Sequence, residues 1–113
     1  MQAQKDLEKI EKSIEEAREQ IILAEALTRL RNNVDFKLVF IDAYFHRNAV
    51  WLVGQKANPE LQDELNQTYI DKQLNAIGHV NQYLKHILAQ GVAASAQIDA
   101  DEREREVILR EAL

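Results

Sequence analysis

Glycine and proline are scarce in this chain, which has three glycines and one proline among its 113 residues. A β-rich domain needs many turns, and turns draw heavily on these two residue types. The shortage therefore argues against a sheet and favours long helices. The chain also lacks cysteine, which excludes a disulfide scaffold and a cysteine-ligated zinc site. We expect an all-α fold: a long N-terminal helix, an antiparallel helical bundle and a short C-terminal helix.

Residues 2–31 are predicted to form the N-terminal helix, since they lack glycine and proline and are rich in strong helix formers. Apolar residues recur there at alternating steps of three and four: Leu7, Ile10, Ile14, Ala17, Ile21 and Ala24. Helices that pair side by side in coiled coils have this spacing. We expect Leu7, Ile10, Ile14 and Ile21 to carry helix-mediated association.

The length of this helix bears on its exposure. At about 1.5 Å per residue it is roughly 45 Å long, whereas a compact chain of this size has a radius of gyration of only ~13 Å. We therefore expect residues 1–26 to project from the domain unless a partner covers them.

The most apolar stretch is Phe36–Val53, which holds all three phenylalanines and the only tryptophan. Asp35 is predicted to cap the helix that begins there. The apolar residues surround most of this helix, which is typical of a core or an interface. The aromatic residues predicted to build the core or a second contact are Phe40, Tyr44 and Trp51. A β-strand over Leu38–Ile41 is the competing local structure, and a break near Ala43 is possible within the helix.

A third helix is predicted to start at Asn58-Pro59, with Asn58 as its N-cap and proline in the first turn. Gly78 marks a bend or a close helix crossing, and Gly91 marks the stop. Residues 92–98 are predicted to form a linker before a short acidic helix. If that helix becomes protected only in an assembly, its cluster Val107, Ile108 and Leu109 is a docking element. The predicted organisation is thus a projecting helix (1–26), a helical core (27–90) and a C-terminal segment (91–113).

The sequence contains no phosphate-binding glycine motif and no nucleophile motif. His79 and His86 lie two helical turns apart, near 10 Å, so they cannot jointly hold one metal ion without help. A polar stripe is the favoured interpretation, and a metal or pH-sensitive site between subunits is the alternative. We predict no catalytic, metal-binding or cofactor-binding residue, and hence a protein that is not an enzyme.

The net charge of −5 and the absence of a basic patch argue against nucleic-acid binding. No apolar run approaches the roughly 18 residues of a membrane span, and charged residues stand where a secretory segment would begin. We therefore expect no nucleic-acid, membrane or small-molecule partner, and no secretion signal.

The segment Leu27–Val53 follows the pattern L-x-x-L-x-x-N-x-D-F-K-x-V-F-x-D-x-Y-F-x-x-x-A-x-x-L-V. This resembles small helical proteins encoded among the head and tail structural genes of tailed bacteriophages. In those proteins glycine often precedes the tyrosine, where this chain has Ala43, and an acidic residue commonly lies near the position of Asn48. The resemblance implies an assembly role in a phage, in the virion or the host cytoplasm, and no defined active site.

The leading hypothesis is a non-enzymatic structural or assembly protein that forms homo-oligomers or binds another virion protein. The alternative is a small binding module, such as a phage-encoded inhibitor of a host protein, whose acidic surface mimics nucleic acid or meets a basic partner. An enzyme ranks third, because no group of residues converges on a reaction.

Overall fold

The computed structural model describes residues 1–112, and the all-α prediction is confirmed. The elements in chain order are α1 (Gln2–Arg31), α2 (Val34–Phe36), a π-helix (Lys37–Asn48), α3 (Ala49–Lys56), a 3-10 turn (Pro59–Leu61) and α4 (Glu64–Ala112). The alternative strand over residues 38–41 is wrong, since those residues lie inside the π-helix. The chain divides into two units, the first made of residues 1–27 and 86–112 and the second of residues 28–85.

In unit 1 the two helical segments run antiparallel. The buried side chains of α1 include Ile10, Ile14 and Ala17, which lie on one face at steps of four and three. The facing positions of α4 recur with the same alternation, and the buried residues among them are Ile87, Gly91, Ala94 and Asp101. The N-terminal half of α1 is therefore covered by the C-terminal half of α4.

The C-terminal helix is long, so the prediction of a short one is wrong. Gly91 does not stop the helix, and residues 92–98 are helical rather than a linker. Gly91 has no positive φ angle, and a Cβ atom placed on it would overlap the Cβ of Ala24. The glycine thus permits a close helix crossing. At Gly78, where the sequence allowed such a crossing, a Cβ would meet no atom within 4 Å.

Unit 2 is built around residues 34–56, which we call the central helix because α2, the π-helix and α3 follow one another without a break. Its buried contact is Leu52, which packs with Ile70 and Ile77 of α4. Tyr44 and Phe45 pack against the same cluster from the π-helix. The helix is therefore not broken near Ala43 but widened over twelve residues, where π-helical structure normally extends over a single turn.

The caps of these helices differ from the predicted ones. Asn33, not Asp35, caps the central helix, because its extended backbone aims the side-chain oxygen at the free N–H of Phe36, 3.0 Å away. Asn58 caps only the 3-10 turn, accepting from the N–H of Glu60.

The N-terminus of α4 lies at Glu64 and is capped by Asp63. The carboxylate of Asp63 accepts from the side-chain amide of Asn66 at 2.7 Å and from the backbone N–H of Asn66 at 3.1 Å. These hydrogen bonds, the side-chain one foremost, hold the pKa of Asp63 below its ordinary value of 3.8, since they favour the charged form.

Candidate interaction surfaces

Four of the predicted interface residues lie on the α1 side of the contact between α1 and α4 in unit 1. Ile10 and Ile14 are buried, at 5% and 3% exposure, while Leu7 and Ile21 are half-buried. Their apolar surface is thus largely covered by the chain's own helix. A role for these four residues between molecules stays a prediction.

A polar contact interrupts the apolar packing of unit 1. Asp101 is 5% exposed, although carboxylates are rarely buried unless they are paired. It accepts hydrogen bonds from the hydroxyl of Ser13 across the two helices, at 2.6 Å, and from the amide of Gln97, at 2.8 Å. Because the Ser13 bond forms only in one alignment, it favours a single register of α1 against α4.

Val107 and Ile108 of the predicted C-terminal docking element lie on different sides of α4. Ile108 is half-buried and continues the α4 face that meets α1, seven residues after Asp101. Val107 is 46% exposed and lies off that face. The two residues therefore do not form one surface.

Four aromatic residues of the central helix form a continuous row: Phe36, Phe40, Tyr44 and Phe45. Ring centroids are 5.1 Å apart between Phe36 and Phe40, 6.0 Å between Phe40 and Tyr44, and 5.4 Å between Tyr44 and Phe45. A helix with i→i+5 hydrogen bonds brings residues four and five apart onto one side. The π-helix therefore aligns the row, which connects the Leu52 core with the surface at Phe40, 39% exposed.

The opposite side of the central helix presents apolar side chains to solvent. We call it the outer face and define its apolar part by residues that are each 55–78% exposed: Val34, Leu38, Val39, Val50 and Trp51. Trp51 is 60% exposed although its neighbour Leu52 is only 4% exposed. Of the three aromatic residues predicted for the core or a second contact, Tyr44 packs against the Leu52 core and Trp51 lies fully on this face.

Charge is distributed unevenly between the two units. Unit 1 contains 7 Lys and Arg against 13 Asp and Glu, a net charge of −6, and unit 2 contains 7 against 6, a net charge of +1. The outer face, with Asp42 and Arg47 both exposed on it, therefore belongs to the nearly neutral unit.

Metal sites and membrane-spanning helices are the other functional features to consider in residues 1–112. No three His, Asp or Glu side chains of these residues converge to hold a metal ion. His46, His79 and His86 are all exposed. No helix in this part of the chain is long and apolar enough to cross a lipid bilayer.

Sequence reasoning missed most of the outer face, namely Val34, Leu38, Val39 and Val50. It treated the central stretch as a helix that is apolar over most of its circumference, with straight α-helical geometry, and so did not identify this side as the exposed one. The signal was available in the aromatic spacing: Phe36, Phe40 and Phe45 follow steps of four and five, which fit a widened helix.

Comparison with models of protein families, with curated proteins and with solved structures finds no match to this chain.

Proposed function

We propose that this protein is a non-enzymatic structural or assembly protein that acts by associating through the outer face of its central helix. The observation that carries the proposal is the outer face itself, where five large apolar side chains are more than half exposed. These side chains form two groups, at residues 34–39 and 50–51, and apolar surface concentrated on one side of a helix is typical of an interaction site or of a region prone to aggregation. Tryptophan is enriched among the residues that contribute most to binding.

The setting we propose is a tailed-phage virion or its morphogenesis. The support is the resemblance of Leu27–Val53, a segment that contains the entire outer face. Its pattern thus covers the surface through which we propose that the protein acts.

Light scattering during size-exclusion chromatography tests association. The wild-type mass should be a multiple of the 13.0 kDa of one chain. The double variant Leu38→Ser/Trp51→Ser should move toward 13.0 kDa, because it removes the largest apolar side chain from each of the two groups on the outer face. The matched control is Leu65→Ser/Tyr69→Ser, which replaces one aliphatic and one aromatic residue that are 85% and 63% exposed on α4. If both double variants lower the mass equally, the outer face is not the contact.

Mass spectrometry of purified particles tests the setting. A virion protein should be abundant in the particles, whereas a protein that acts only in the infected cell should be absent from them.

A second candidate is a small binding module, such as a phage-encoded inhibitor of a host protein. The net charge of −6 on unit 1 favours it, because such a surface attracts a basic partner. This candidate predicts a wild-type mass of one chain, absence from particles, and binding to a basic protein that weakens steeply with salt.

A further inference from the structure

We propose that the occupant of the outer face is a second copy of this chain, with the two central helices antiparallel about a two-fold axis. This inference rests on the proposed function, because it names the partner of the same surface. It follows from a symmetry in the exposed residues of the central helix.

Four of the five apolar residues of the outer face form two symmetric pairs, Leu38 with Trp51 and Val39 with Val50, whereas Val34 corresponds to Gln55. Leu38 and Trp51 each lie six and a half residues from the midpoint between Tyr44 and Phe45. They are exposed to similar extents, 55% and 60%. An antiparallel copy with its two-fold axis at that midpoint therefore places Leu38 opposite the partner's Trp51, and does so twice.

Two opposite charges lie between Leu38 and Trp51, one on each side of the midpoint. Asp42 and Arg47, both exposed, each lie two and a half residues from the same midpoint. The antiparallel arrangement brings Asp42 opposite the partner's Arg47, and repeats that pair on the other side of the axis. A parallel arrangement would instead oppose Asp42 to the partner's Asp42, which is repulsive. The charge pattern therefore selects the antiparallel orientation.

The size of the surface also fits a second copy. From ordinary side-chain areas, the five apolar residues of the outer face expose roughly 400 Å². A standard interface buries about 800 Å² per partner, of which somewhat more than half, or about 450 Å², is apolar. The exposed apolar area thus matches that of a dimer with two-fold symmetry, in which both copies contribute the same patch. The net charge of unit 2, only +1, opposes such pairing very little.

Charge reversal gives the first test, read out as the dimer dissociation constant from light scattering over a dilution series. Asp42→Arg and Arg47→Asp alone should each weaken the dimer by about tenfold or more, since each creates two like-charge pairs. The double variant Asp42→Arg/Arg47→Asp should regain wild-type affinity, because each pair is restored with its signs exchanged. Glu60→Arg and Lys72→Glu make the same changes of net charge elsewhere on unit 2 and should leave the constant unchanged.

Disulfide formation gives the second test. Because the chain has no native cysteine, only the introduced cysteines can form a disulfide. A mixture of the Leu38→Cys and Trp51→Cys chains should oxidise to a mixed disulfide, identified by its mass. Leu38→Cys alone should not, because the two copies of residue 38 would be roughly 15–20 Å apart along an antiparallel pair, and a disulfide needs Cα atoms within about 7 Å.

The outcomes separate the inference from the function on which it rests. If the wild type is oligomeric and loses mass in Leu38→Ser/Trp51→Ser, but the double charge reversal does not restore affinity, the antiparallel pairing is wrong and association through the outer face stands. Self-disulfides in Leu38→Cys alone would likewise overturn it in favour of a parallel pair. If the wild type has the mass of one chain at every concentration, self-association itself is wrong.

Discussion

The two units of this protein use helices in opposite ways. In unit 1 the regularly spaced apolar residues of α1 are covered at the α1–α4 contact, and the small residues Gly91 and Ala94 let the helices approach closely. In unit 2 the central helix is apolar on both sides, with Leu52 buried and Trp51 exposed beside it. Unit 1 is strongly acidic and unit 2 nearly neutral. The comparison teaches that apolar periodicity alone does not identify a contact between molecules, because the chain can cover its own apolar face.

The largest expected effect is that of Ile14→Asp in unit 1. Ile14 is 3% exposed, so the variant loses its hydrophobic burial and places a carboxylate among apolar groups. The combined cost should be at least about 3 kcal/mol of the free energy of unfolding. Chemical denaturation should show this loss, while the solution mass stays that of the wild type.

Ile22→Asp is the control on the same helix, since Ile22 is 63% exposed. It should change the unfolding free energy by less than about 0.5 kcal/mol. A fall in mass with unchanged stability in Ile14→Asp would show that the α1 face meets another molecule instead.

The next effect compares a buried with an exposed residue at adjacent positions of the central helix. Leu52→Ala should cost about 2–3 kcal/mol, near the low end for buried leucine, because Tyr44 and Phe45 can relax into the space. Val53→Ala, at a residue that is 57% exposed, should cost much less. Similar losses for both variants, measured by urea denaturation, would contradict the burial of Leu52 in the core of unit 2.

The two glycines of α4 should respond with opposite signs. Gly91→Ala crowds the Cβ of Ala24 and should destabilise by about 1–2 kcal/mol, since overpacking outweighs the gain in helix propensity. Gly78→Ala enters open space and should stabilise by up to about 1 kcal/mol. Thermal unfolding of the two variants measures both changes, and a stabilising Gly91→Ala would refute the close crossing in unit 1.

The smallest effect concerns the start of α4 in unit 2. The pKa of Asp63 lies below 3.8 in the folded chain because its carboxylate accepts from the side chain and the backbone of Asn66. Its stabilising contribution is therefore complete above about pH 4 and disappears as the pH falls through the folded-state pKa. Asp63→Asn retains a capping side chain but does not titrate, so its stability should fall less than that of the wild type below pH 4. Equal acid dependence would show that Asp63 contributes nothing to this transition.

Local features of the sequence determined much of unit 1 and the element boundaries near it. The absence of glycine and proline over residues 2–31 predicted α1 almost to the residue, since helix propensity acts locally. The steps of three and four through Ile10, Ile14 and Ala17 also identified the buried face, because side-chain direction in a helix depends only on position in the turn.

Tertiary contacts alone decided what covers that face and whether the helix stops at Gly91 or continues through it. A glycine favours a helix stop where its φ angle is positive, and a close crossing where another backbone approaches it. Ala24, which lies 67 positions away in the chain, approaches Gly91. This approach shows that the glycine permits a close crossing and does not stop the helix. Likewise, only the packing of Leu52 against Ile70 and Ile77 leaves Trp51 in solvent. Such outcomes depend on contacts between residues distant in the chain, which a local pattern does not contain.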